Sequence, residues 1–125
     1  MLSFAPGLKV FVAPGATDLR KGFSGLTALA SSQLRQDPLS GHVFAFCNRR
    51  RTLIKLLLWD GSGFWVMAKR LESGTFAWPD GGSAGAVTMS LDELGWLLGG
   101  LDPREVTRRD WWRREPTLAA AGVFE

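Results

Sequence analysis

Three consecutive arginines, Arg49, Arg50 and Arg51, stand between two apolar runs at a point where the chain must reverse. Long cationic side chains on one turn reach outward together and can engage successive phosphates of a nucleic acid. Lys55, Lys69 and Arg70 follow within the same segment. Residues 42–72 therefore hold six basic residues against Asp60 and Glu72, a local excess larger than the +3 of the whole chain. Residues 73–101 carry no basic residue at all, so an anionic partner would meet the middle of the chain. Arg20 and Lys21 join the candidate set. They fall where a helix is predicted to start, and there cations oppose the helix dipole unless an anion compensates. By composition alone a cationic turn serves solubility equally well.

Aromatic residues add a second element. Trp59 and Phe64 lie near Lys55 and Arg70 on one face of a predicted hairpin, the arrangement that stacks single-stranded bases. The competing assignment, which we favour, puts Trp59 and Phe64 in a second small core covered by the C-terminal segment. The Trp111-Trp112 pair near the end of the chain is a further candidate partner contact, since aromatic side chains favour interfaces.

Catalytic chemistry finds little footing. A nucleophilic triad needs a base, and the only histidine, His42, is not accompanied by a G-x-S-x-G turn. The twelve acidic residues are scattered over caps and turns such as Asp18, Asp60 and Asp102, not clustered as two-metal chemistry requires. Gly61-Ser62-Gly63 lacks the context of a phosphate-cradling loop. One cysteine, Cys47, and one histidine do not make a zinc site. The sequence thus predicts a binding or accessory protein, not an enzyme, with no metal and no cofactor.

The elements that must position these residues follow from periodicity. Residues 8–13 alternate as a short strand ended by Pro14 and Gly15. Thr17 or Asp18 is expected to cap a helix whose stripe is Leu19, Phe23, Leu26 and Leu29, continued by Leu34. Three strands are predicted over residues 42–48, 52–59 and 64–71. The last two are joined by Asp60-Gly61-Ser62-Gly63, residues that tolerate positive φ and favour a hairpin. A two-residue turn at Gly61-Ser62 would pair Trp59 with Phe64, Leu57 with Val66, Lys55 with Ala68 and Leu53 with Arg70. The opposite face, with Ile54, Leu56 and Leu58 across from Lys69, Met67 and Trp65, is almost wholly apolar and is the expected seat of the first helix. A short strand is expected near residues 86–89. Ser90 with Glu93 forms a capping box for a helix through Leu94, Leu97 and Leu98, ended by Gly99 and Gly100.

Together these predict an α+β fold: a mainly antiparallel sheet with a three-strand meander, covered by an N-terminal helix and a C-terminal helix. At 125 residues the chain suits one domain, expected over residues 1–101. Residues 102–125 are expected to form a C-terminal helical or partly disordered extension, in which Glu105 with Arg109 and Asp110 with Arg114 are spaced for i,i+4 ion pairs. Apolar runs are far too short to span a bilayer, and the N-terminus lacks a secretory pattern, so a cytoplasmic location is expected.

The ordered motifs resemble a known family. They are Thr17-Asp18-Leu19-Arg20-Lys21-Gly22-Phe23, Asp37-Pro38-Leu39-Ser40-Gly41-His42, Asn48-Arg49-Arg50-Arg51, Trp59-Asp60-Gly61-Ser62-Gly63-Phe64, Lys69-Arg70-Leu71-Glu72-Ser73-Gly74 and Phe76-Ala77-Trp78-Pro79. In this order and spacing they resemble the TnpB-type (Orf2-like) accessory protein of the IS-sixty-six family of bacterial insertion elements. The resemblance implies a role in transposition and DNA recombination of a mobile genetic element, beside a transposase and a small accessory protein of the same element. It implies no catalytic residue. DNA at the element's ends is the expected nucleic-acid partner; docking on those proteins without touching nucleic acid is the alternative, and self-association is open.

Overall fold

The computed structural model describes residues 7–81 and 85–100. Five strands form one sheet in the order β4-β3-β2-β1-β5, where β1 is Val10–Val12, β2 Val43–Cys47, β3 Leu53–Trp59, β4 Phe64–Arg70 and β5 Val87–Met89. Two helices complete the fold, α1 over Phe23–Ser32 and α2 over Leu91–Leu98. The five strands form four neighbouring pairs, three antiparallel and one parallel. The parallel ladder joins β1 to β2, with Val10 opposite Val43 and Val12 opposite Ala45.

The Asp60 turn sets the register of the β3–β4 hairpin. Asp60 Oδ1 accepts from the backbone N–H groups of Ser62 and Gly63 at 2.9 and 3.0 Å, and Gly61 takes φ 104, which glycine tolerates without strain. Trp59 then pairs with Phe64, Leu57 with Val66, Lys55 with Ala68 and Leu53 with Arg70, as a two-residue turn requires. Backbone and indole N–H bonds to Asp60 favour its ionised form and push its carboxyl down to about 2.

Each face of the sheet carries its own core. On one, Val10, Val12, Ile54, Leu56 and Leu58 pack with Phe76, Trp78 and, from α2, Leu94 and Leu97. On the other, Phe11, Phe44, Phe46 and Leu57 pack with Leu26 and Ala30 of α1 and with Leu19 and Leu34 flanking it. The first helix therefore does not take the Ile54, Leu56 and Leu58 face expected from apolarity. It covers the mixed face, where Leu53, Phe64 and Val66 supply the apolar ground. The cause is topological: α1 is the crossover between the parallel strands β1 and β2, and the strong handedness of such connections selects the face.

The start of α1 is also corrected. Neither Thr17 nor Asp18 caps it; the helix begins at Phe23 behind Gly22, which makes no side-chain cap bond. Asp18 instead accepts from the N–H of Arg20 two residues on, a local turn that competes with capping. Phe23, placed in the apolar stripe by spacing, is 54% exposed, and Ala30 fills the core position. The capping box of α2 forms as spaced: Ser90 Oγ accepts from Glu93 N–H, and Glu93 Oε1 accepts from Ser90 N–H. The helix expected after Asp102, and the extension over residues 102–125, lie outside the described residues.

Candidate nucleic-acid interface

Three stretches far apart in sequence meet at one end of the sheet. The loop after β1 brings Thr17, Asp18 and Arg20; the β2–β3 turn brings Asn48, Arg49 and Arg50; the far ends of β3 and β4 bring Leu53 and Arg70. They enclose a cleft of about 550 Å³. Backbone bonds hold its walls. Thr17 N–H donates to the Cys47 carbonyl at 2.8 Å, seating the loop on the end of β2. Asn48 Oδ1 accepts from Thr52 and Leu53 N–H at 2.9 and 3.1 Å, and its Nδ2 donates to Thr52 Oγ1, so its amide is consumed in shaping the arginine turn.

Among the described residues, four guanidiniums line this cleft against one carboxylate. Arg20 is held by Asp18, Nε on Oδ1 at 2.9 Å and Nη2 on Oδ2 at 2.7 Å. That hydrogen bonding holds the Asp18 carboxyl well below the usual carboxylate range and raises Arg20. Both side chains are open to water, where such pairs add little stability. Among the described residues, no carboxylate lies within 4 Å of Arg49, Arg50 or Arg70. Lys21 and Lys55 flank the cleft, joined by a bond from Lys55 Nζ to the Lys21 carbonyl at 3.2 Å.

Two of the predicted cations are elsewhere. Arg51 adopts φ 60, and its guanidinium leaves the turn for the opposite core, bonding the Trp78 carbonyl and Asp80 Oδ1, the latter at 2.8 Å. It fastens the segment at residues 76–80, whose Trp78 indole N–H donates to the buried Ala13 carbonyl at 2.9 Å. Gly15 permits the same segment to approach: its N–H donates to the Pro79 carbonyl, and at φ 78 a side chain there would crowd Gly81 at 3.2 Å. Lys69 also points away, donating to the Leu98 carbonyl at 2.7 Å, a cation at the C-terminus of α2. Strand alternation already places Lys69 on the face opposite Lys55 and Arg70, whereas no local signal distinguishes Arg51 from Arg49 and Arg50.

The aromatic platform is displaced as well. Trp59 and Phe64 sit at the other end of the hairpin, packed on each other edge to face at 5.0 Å. Phe64 rests against the α1 core, and the C-terminal segment expected to cover this pair lies outside the described residues. Trp111 and Trp112 lie outside the described residues. Cys47, beneath the cleft, is fully buried, and burial pushes its thiol up to about 11, which leaves it un-ionised at neutral pH. Among the described residues no cluster of histidine, cysteine or carboxylate is placed to hold a metal, and no helix is long and apolar enough to cross a membrane.

The architecture is thus that of a small α+β protein with an arginine-walled cleft at one end of its sheet. A family profile described as IS66 Orf2 like protein matches residues 8–108, and the chain belongs to that family. Two relatives from Sinorhizobium fredii (strain NBRC 101917 / NGR234) are similar over most of their length. One, the uncharacterized protein y4hO, is 36% identical over 113 residues, covering 90% of this chain and 96% of the relative. The other, the uncharacterized protein y4jC, is 39% identical over 109 residues, covering 87% and 92%. No solved structure matches. Membership implies an accessory role in transposition of an insertion element.

Proposed function

We propose that the protein is a non-catalytic accessory factor that binds nucleic acid at the element's ends through the cleft of Arg20, Arg49, Arg50 and Arg70, and so helps assemble the transposase complex. The observation that carries this reading is convergence: four arginines from three separate segments share one concave surface with, among the described residues, a single opposing carboxylate, Asp18. Charge kept only for solubility has no reason to gather around a cleft. Lys21 and Lys55 extend the same field, and Arg51 and Lys69 leave the set because their bonds are structural. Such a role places the protein in the cytoplasm with the element's DNA.

Binding of the purified protein to the element's terminal repeat, followed by fluorescence anisotropy across a salt series, tests this. The expected result is salt-dependent binding that weakens when Arg49 and Arg50 are both changed to Gln, because each lost phosphate contact releases fewer counterions. Absence of salt-dependent binding to any DNA or RNA would overturn it.

A second reading rests on a separate surface. A groove of about 470 Å³ runs along α1 between Phe23, Thr27, Ala28, Pro38 and Phe64, and it leaves Phe23 more than half exposed. It suits docking on the transposase or its small partner protein. Co-purification that survives high salt and is lost in Phe23→Ser would favour that role.

A further inference from the structure

The cleft's lining bears on which form of nucleic acid enters it. Proteins that hold single strands without regard to sequence do so by stacking bases on aromatic rings. None of the ten described residues around the cleft is aromatic. The nearest aromatic pair on the hairpin, Trp59 and Phe64, begins six residues along β3 from Leu53, about 20 Å away at the rise of a strand. Those rings are also already engaged with each other and, through Phe64, with the α1 core. What remains in the cleft is positive charge.

Charge alone favours the form with the denser phosphates. A duplex presents one negative charge per roughly 1.7 Å of axis, twice the density of one of its strands, and yields a larger counterion term per contact. Base reading has few instruments here. Asn48, whose amide would suit adenine, is spent on Thr52 and Leu53. The cleft's donors also come from loops and strand ends, not from a helix or ribbon shaped to enter a groove. Asp18 holds the Nε–Nη2 edge of Arg20, one of the two edges by which a guanidinium makes a bidentate contact to guanine.

We propose that this cleft grips the sugar-phosphate backbone of a nucleic-acid duplex, in preference to a single strand and with little dependence on sequence. The inference rests on the nucleic-acid reading above and fails separately from it.

Anisotropy titrations would compare a duplex of about two helical turns, each of its strands alone, and a scrambled duplex of equal length, all in one low-salt buffer. The duplex should bind on the order of tenfold tighter than either strand, and the scrambled duplex within about threefold of the first. Four arginine contacts predict a slope of log K against log salt near −3.6, reduced in magnitude by about 2 in the Arg49→Gln, Arg50→Gln double variant. If that variant does not fold, Arg70→Gln should reduce it by about 1. A strand bound as tightly as the duplex, or one duplex favoured over the other by more than about tenfold, would overturn the inference and leave the nucleic-acid role intact. No binding to any of the probes would overturn both.

Discussion

Replacing Arg51 by alanine separates a clamp from a phosphate ligand. Its guanidinium makes two contacts of unequal worth. The bond to the Trp78 carbonyl is charge-assisted and partly buried, a class that contributes about 1.5–3 kcal/mol. The pair with Asp80 adds at most a few tenths, roughly 0.3 kcal/mol, because the Asp80 side chain is 90% exposed. Arg51→Ala should therefore lose about 2 kcal/mol, a fall in Tm of about 8 °C for a chain of this size. Backbone geometry sharpens the test. At φ 60 any L side chain is strained by about 1 kcal/mol, which glycine avoids, so Arg51→Gly should be the more stable of the two variants by about that amount. Thermal unfolding followed by circular dichroism gives the stabilities, and anisotropy gives binding to duplex DNA. Both Arg51 variants should bind as the parent does at temperatures where they are folded, whereas the Arg49 and Arg50 changes should weaken binding and leave Tm in place. An Arg51→Ala protein that melts with the parent, and loses binding in step with Arg49 and Arg50, would refute the clamp.

Other perturbations follow from the same contacts. Trp78→Phe removes the only side-chain donor to the buried Ala13 carbonyl among the described residues and should cost about 2 kcal/mol, read as a lower urea midpoint at unchanged m-value. Asp18→Asn takes one negative charge from the cleft; at about 6 Å in a water-like dielectric this should tighten duplex binding on the order of threefold, with Tm nearly unchanged. Asp60 is depressed from its ordinary 3.8 to about 2, so its stabilisation of the hairpin is fully present above about pH 4 and lost as the pH falls through 2. The indole N–H resonance of Trp65, which donates to Asp60 at 2.7 Å, should report a step near pH 2 and not near 4.

Local patterns in the sequence specify local structure well here. The Asp60-Gly61-Ser62-Gly63 turn determines the register of the β3–β4 hairpin because turn chemistry acts within four residues. Ser90 and Glu93 identify the start of α2 for the same reason. The misplaced features depend on partners far along the chain. Arg51 reaches Trp78 and Lys69 reaches Leu98, 27 and 29 residues away, and nothing in the triplet Arg49-Arg50-Arg51 reveals that its last member turns inward. The face chosen by α1 depends on β1 lying parallel to β2, a pairing that two short apolar runs 33 residues apart do not announce. For the cleft, sequence supplied the charges but not their grouping: Arg20 and Arg70 meet the arginine turn only because the loop after β1 is bonded to Cys47 and the strand ends align.

The position of β1 has a consequence for synthesis. Although it precedes the other four strands of the sheet in the chain, it lies inside the sheet, parallel to β2 on one edge and antiparallel to β5 on the other. While the chain grows, β2, β3 and β4 can zip together as nearest neighbours in sequence. The Val10–Val12 strand has one hydrogen-bonding edge without a partner until Val87–Met89 has been made. A nascent chain stalled between residues 71 and 86 would present that apolar edge to other chains, and it is there that a chaperone or a sister copy would find purchase.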